Sequence, residues 1–105
     1  MRNQETKPRF ETIDPQVGMG ATRLLFTDRH AYTIVEVRTP KCVVVQRDTA
    51  KRLDKNGQST VQDYEYIPDP NAPKLILRLC KRGWQAKGPW PFRIGSREEY
   101  YDPNF

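Results

Sequence analysis

The sequence predicts an all-β domain, because short segments rich in β-branched and aromatic residues recur and Gly or Pro turn signals separate them about every eight to twelve residues. No segment has a convincing long helical period. At 105 residues the chain has the length of one domain, and so small a sheet exposes long unpaired edges unless it rolls up. We therefore predict a small antiparallel barrel of about five or six strands, SH3-like or alternatively OB-like.

The composition indicates a folded domain with a modest core. Hydrophobic residues make up 36% and charged residues 30% of the chain, so it is polar, yet it is too rich in Val, Ile, Leu and aromatic residues to be disordered. No apolar run approaches the roughly 18 residues of a membrane span, and the N-terminal residues lack the apolar stretch of a secretory signal. We therefore expect a cytoplasmic protein that binds no membrane.

Cys42 and Cys80 each lie inside an apolar, strand-like run. A buried free thiol behaves as a small hydrophobe in a reducing compartment, so we expect no structural disulfide. One histidine and two separated cysteines do not supply a convincing ligand set, and no metal or cofactor site is expected.

The N-terminal residues differ in character from the rest of the chain. Residues 1–16 mix charges with prolines and have no helical or strand period, which predicts a flexible arm. The barrel domain is then residues 17–105. Gly18 and Gly20 near its start predict a turn, since a phosphate-binding loop would need a third glycine between a strand and a helix.

The stretch GATRLLFTDRHAYTIVEV, residues 20–37, predicts the first hairpin. Residues 21–27 and 32–38 have the composition of strands, and Asp28 between them can accept hydrogen bonds from the backbone amides that follow it. We therefore interpret Asp28, Arg29 and His30 as a solvated turn.

The remaining strands follow from the same signals. Residues 42–45 are apolar on both faces, as in a central strand, and residues 74–81 alternate between leucine and other residues. The polar stretch 48–60 predicts a loop with at most one helical turn, and the tail SREEYYDPNF is expected to pack back on the barrel. The strands predicted after the first hairpin are 42–45, 61–67, 74–81, 84–86 and 92–94.

Candidate catalytic groups are few. His30 is the only imidazole, and Asp28 lies close before it, but no motif marks a Ser or Cys nucleophile for this pair. Glu98 and Glu99, as neighbours on a strand, would point to opposite faces, which predicts a charged tail and no acid/base couple. We predict that the protein is not an enzyme, with a small hydrolase using His30 and Asp28 as an alternative.

Positive charge is concentrated in one segment. The formal net charge is +5, yet residues 71–97 hold seven basic residues and no acid, so the rest of the chain sums to −2. Such asymmetry is an argument about binding partners and not about the fold.

Within this segment, KRGWQAKGPWPFR interleaves cations with aromatic rings. Cations along a phosphate backbone and a ring stacked on an unpaired base are how proteins bind RNA or single-stranded DNA. In the alternative interpretation the rings fill the core and the cations only keep the surface soluble. The candidate nucleic-acid contacts are Arg78, Lys81, Arg82, Trp84, Lys87, Trp90 and Arg93.

Several stretches together form a recognisable pattern over residues 17–105. They are Gly18-Met19-Gly20-Ala21-Thr22, Thr27-Asp28-Arg29 leading into Tyr32-Thr33-Ile34-Val35, Val45-Gln46-Arg47-Asp48, Gln62-Asp63-Tyr64, and Ile94-Gly95-Ser96-Arg97 followed by Tyr101-Asp102-Pro103. Through them the chain resembles small uncharacterised proteins encoded in bacteriophage and prophage genomes. The resemblance implies a phage-derived protein in the cytoplasm of an infected bacterium, and it implies no activity and no site residues.

The leading hypothesis is a non-enzymatic binding module whose basic segment, residues 71–97, contacts nucleic acid or an acidic protein. A structural or interaction module that docks on a host or phage protein through exposed Trp90 and Tyr101 is the alternative from another class.

Overall fold

The structure is a computed structural model that describes residues 13–103. Within that range the regular elements are seven strands, with no helix. The strands are β1 (Gly20–Leu24), β2 (Arg29–Thr39), β3 (Cys42–Arg52), β4 (Tyr64–Pro68), β5 (Lys74–Cys80), β6 (Gly83–Gln85) and β7 (Pro91–Ile94).

Six of these strands close into a barrel. Their order is β2-β1-β7-β6-β5-β3, and β3 pairs back with β2, so the ring has no free edge. Every pairing is antiparallel. The predicted all-β barrel is confirmed, and the closed six-stranded form is consistent with a small SH3-like or OB-like barrel.

The core is made by side chains that point inward at alternate strand positions. Val43 and Val45 of β3 lie opposite Leu77 and Leu75 of β5, and Ile34 of β2 lies opposite Val45. Aromatic residues complete this core, where the ring of Tyr32 on β2 and the ring of Phe92 on β7 meet edge to face at 5.0 Å.

The prediction that residues 48–60 form a loop with a helical turn is wrong for the first part of that stretch. β3 continues to Arg52, and its distal half from Asp48 pairs with β4, which has no other strand partner in the described chain. This half lies beyond the closed barrel, and its residues alternate without forming a continuous apolar face. Residues 48–52 therefore form a strand although their composition is polar, and the loop itself covers only residues 53–63.

The first hairpin turn lies earlier than predicted. β1 ends at Leu24, and the Leu25 amide donates to the Asp28 carbonyl over 3.1 Å, so Arg29 and His30 belong to β2. The Asp28 carboxylate does not accept a hydrogen bond from the next amide in the chain, because the Arg29 amide donates to the Tyr100 carbonyl. It accepts a hydrogen bond of 2.8 Å from the amide of Asp102, a contact across the fold that no local pattern could reveal.

The described part of the C-terminal tail, up to Pro103, packs back on the barrel, as predicted. Tyr100 forms an antiparallel bridge with Arg29, and the tail crosses β1 where Gly20 has no side chain. Most of the predicted N-terminal arm lies outside the described residues. In the described end of this arm, residues 13–16, Ile13 packs against the core and Pro15 is buried.

Candidate nucleic-acid interface

The β5–β6 hairpin carries positive charge at one end of the barrel. Arg78 is exposed on β5, and Lys81 and Arg82 form the turn that joins Cys80 to its partner Gly83. Gly83 has a φ of 103°, a backbone conformation that other residues rarely adopt. The tight turn therefore holds Lys81 and Arg82 in adjacent exposed positions.

Lys41 lies at the same end, although it is far away in sequence. It belongs to the β2–β3 turn, and its carbonyl accepts a hydrogen bond of 2.9 Å from the amide of Leu79. Arg78 faces Cys42 across the strands, with Nη1 at 3.7 Å from Sγ. We call the four exposed residues Lys41, Arg78, Lys81 and Arg82 the basic end.

The charges of the basic end are not compensated within the described chain. The ion pairs found among residues 13–103 use other cations, and no carboxylate in that range lies within 4.0 Å of these four groups. The arginines that do pair with acids are Arg29, Arg38, Arg47, Arg52, Arg93 and Arg97. One of these pairs, Arg38 with Glu36, lies on β2 shortly before the turn that holds Lys41.

The other predicted contact residues lie elsewhere. Lys87 and half-buried Trp90 belong to the β6–β7 connection, at the opposite end of β6 from the Lys81-Arg82 turn. Arg93 points outward from β7, where Nη2 lies 2.8 Å from Glu98 Oε2. The basic residues that are contiguous in sequence therefore do not form one surface, whereas Lys41, which the sequence reasoning missed, joins three of them.

Trp84 and Phe92 belong to the core. Trp84 is only 6% exposed and Phe92 only 4%, and the two residues face each other across β6 and β7. For these two rings the structure fits the interpretation that they fill the barrel.

An apolar groove opens beside the basic end. It has a volume of about 540 Å³. Buried Trp84, Phe92 and Ile94 form its floor, half-buried Ile13 and Leu24 flank it, and Arg82 of the basic end lies on its rim. We call this feature the apolar groove.

A second cluster of charged residues lies under the C-terminal tail. The Glu99 carboxylate is fully buried and accepts hydrogen bonds from the Ala31 amide at 2.9 Å and from both Nη atoms of Arg47. Burial alone would raise the pKa of Glu99, but these hydrogen bonds and one from Tyr101 outweigh it and lower the pKa below its usual value. Within the predicted charged tail, Glu99 is therefore buried and paired with Arg47, whereas Glu98 is exposed.

Two neighbouring groups share this environment. Burial and the hydrogen bond to Glu99 raise the pKa of Tyr101 to about 12. Burial, together with the positive charge of Arg47, lowers the pKa of His30, whose ring centroid lies 5.7 Å from that of Tyr101. Because the Ala31 amide, both Nη atoms of Arg47 and the Tyr101 hydroxyl all donate to Glu99, the cluster has a structural role and fixes the tail.

The geometry adds no support to the hydrolase alternative. The Asp28 carboxylate is engaged by the Asp102 amide and by Thr27 Oγ1, and no hydrogen bond found in the described chain joins it to His30.

Residues 13–103 contain no cluster of three or more His, Cys, Asp or Glu residues able to hold a metal ion. In that range, no helical segment has the length and hydropathy needed to cross a bilayer. Cys42 is buried and Cys80 exposed, and both are free.

Fold and charge together define a small closed β-barrel with a basic end whose four cations form no ion pair within residues 13–103. Comparison with known proteins found no matching family model, no similar curated protein and no similar solved structure. The resemblance to phage-encoded proteins therefore stays a prediction.

Proposed function

We propose that this protein is a nucleic-acid-binding module that contacts the phosphate backbone through its basic end. The observation that carries the proposal is the meeting of Lys41, Arg78, Lys81 and Arg82 from two hairpins, with no carboxylate within 4.0 Å among the described residues. Uncompensated cations on a rigid surface neutralise phosphates and release their counterions.

Three features favour phosphates over an acidic protein surface. Two of the four cations are arginines, whose planar guanidinium groups bind phosphate oxygens in pairs. Strand β5 and the two turns fix the backbone that carries these cations, so no loop has to be ordered on binding. Of the residues predicted to dock on a protein, Trp90 is half-buried, and Tyr101, although exposed, accepts a hydrogen bond of 3.4 Å from Arg47 Nη2.

On the resemblance alone, we further propose that this binding takes place in the cytoplasm of a phage-infected bacterium. The proposal of backbone binding is independent of that setting and requires no catalysis.

Fluorescence anisotropy with labelled single-stranded DNA, RNA and duplex DNA tests the proposal. We expect saturable binding that weakens about 100-fold between about 50 and 200 mM salt, as about four phosphate contacts require. The double substitution Lys81→Gln and Arg82→Gln should weaken binding at low salt and reduce the slope of log K against log salt by about 2.

The matched control is the double substitution Lys51→Gln and Lys55→Gln. It removes the same charge from two exposed positions beyond the closed barrel, Lys51 near the end of β3 and Lys55 in the loop that follows it. It should leave most of the affinity and the slope intact. The proposal is wrong if no nucleic acid binds at low salt, or if both double variants bind equally well.

A further inference from the structure

We propose that the apolar groove receives an unpaired base, so that the protein prefers single-stranded to duplex nucleic acid. This inference rests on the proposed function and names the class of nucleic acid that it would bind. No local sequence pattern marks the groove, because Ile13, Leu24, Trp84 and Ile94 come from four separate parts of the chain.

Two glycines are part of the groove lining. Gly83 and Gly95 have φ values of 103° and 101°, and a Cβ atom on Gly95 would lie 2.9 Å from the Ile13 side chain, so a larger residue there would press on the wall of the groove. The volume of about 540 Å³ lies within the range of small-ligand sites. The surface is therefore a preformed apolar recess in an otherwise polar molecule.

Arg82 connects the groove to the basic end. It lies on the rim of the groove and in the same turn as Lys81, directly after the strand that carries Arg78. A strand whose phosphates contact Lys81 and Arg82 therefore passes the mouth of the groove. In a duplex the bases remain stacked and paired within the double helix. Only an unpaired base is therefore free to turn into the groove.

Charge argues for a nucleic acid and against a lipid or another small amphipathic anion. A single carboxylate or phosphate head group would engage one or two cations, whereas the positive charge here extends from Arg82 across a second hairpin to Lys41. A polyanion compensates the whole surface, and the small exposed parts of the Trp84 and Phe92 rings give a base aromatic contact at the floor of the groove.

The floor of the groove also provides a direct probe. The chain has two tryptophans, and the substitution Trp90→Phe leaves Trp84 as the only one. A base that enters the groove contacts Trp84 and should quench its fluorescence. Quenching therefore reports occupation of the groove separately from binding to the basic end.

The experiment titrates Trp90→Phe with three DNA probes of about 15 nucleotides, close to the largest site size of a small barrel. They are a single strand, the corresponding duplex, and the same strand with every base removed, which keeps the phosphates. We expect quenching only by the intact single strand, and about tenfold weaker binding of the abasic strand and the duplex. The substitution Leu24→Trp in the original chain, which narrows the groove, should abolish the preference, whereas Leu53→Trp at an exposed loop position should not.

The two proposals fail in different ways. Equal, salt-dependent binding of all three probes without quenching overturns the base-binding inference and leaves the proposed function standing. Binding of none of the probes overturns both. A Leu24→Trp variant that keeps its melting temperature and still prefers the intact strand also contradicts the inference, and if that variant does not fold, the quenching result decides.

Discussion

At the scale of single residues, Glu99 shows how one buried charge can fix a segment of chain. Its side chain is 0% exposed, and its oxygens receive donors from β2 and β3. The adjacent Glu98 is 50% exposed and pairs with Arg93 at the surface. The two glutamates are chemically identical. Loss of Glu98 would expose its partner Arg93 only to water, whereas loss of Glu99 would leave the buried Ala31 amide and the half-buried Arg47 without an acceptor.

The substitution Glu99→Gln should destabilise the protein by about 2 kcal/mol, because Arg47 then remains half-buried without its counter-charge. The substitution Glu98→Gln, which breaks only surface pairs, should cost less than about 1 kcal/mol. Urea unfolding followed by circular dichroism at neutral pH measures both changes. Equal losses for the two variants would contradict the structural role of Glu99.

The same comparison has a defined pH dependence. The pKa of Glu99 is lower in the folded protein than in the unfolded chain, since its hydrogen bonds to Arg47 and the Ala31 amide outweigh the effect of burial. Its contribution to stability is therefore complete above the unfolded pKa of about 4.3, and is lost as the pH falls through the lower folded value. The stability gap between the wild type and Glu99→Gln should accordingly narrow below about pH 4.

At the scale of elements, the decisive contact is the crossing of the C-terminal tail over β1. A Cβ atom on Gly20 would lie 3.0 Å from both the Cβ and the backbone nitrogen of Arg97. Beyond this point, the Glu98 amide donates to Thr22 Oγ1 at 3.0 Å, and the Tyr100 amide donates to the Arg29 carbonyl. The tail thus approaches the strand as closely as its backbone allows.

The substitution Gly20→Ala should displace the tail and cost about 1–3 kcal/mol. Hydrogen exchange followed by NMR compares this variant with the wild type. In the variant, exchange should become faster at the Glu98 and Tyr100 amides, and this increase should exceed any increase at amides of the barrel core. The control is Gly57→Ala, which meets no atom within 4 Å and strains only its own backbone at a φ of 63°. If both variants leave the tail amides equally protected, the close crossing does not stabilise the tail.

At the scale of the whole molecule, one closed sheet encloses one core. Within the barrel each strand pairs with two neighbours, and the inward side chains meet in a single cluster. Loss of packing in that cluster should therefore weaken every strand together. The β3–β4 extension lies outside the barrel and contributes none of the fully buried large side chains.

A matched pair of leucine substitutions tests this view. Leu77 on β5 is 0% exposed and Leu53 in the loop after β3 is 51% exposed. We expect Leu77→Ala to cost about 3 kcal/mol and to lower the stability of the whole barrel in one transition. Leu53→Ala should change the free energy of unfolding by less than about 0.5 kcal/mol. Thermal unfolding by calorimetry distinguishes the two outcomes, and comparable losses would show that the core lies elsewhere.

The sequence alone determined the fold class and most of the strands. Alternation in residues such as Leu75, Ile76 and Leu77 indicates which side chains face inward, and Gly and Pro mark where the chain must turn. The concentration of charge between residues 71 and 97 is also a property of the sequence itself.

Tertiary structure decided which of these residues act together. It placed Lys41 beside the β5–β6 turn, buried Trp84, formed the groove, paired Glu99 with Arg47 and extended β3 through a polar stretch. The physical reason is that periodicity fixes only the face on which a side chain lies. The partner across the sheet follows from register and closure, which join residues far apart in the chain.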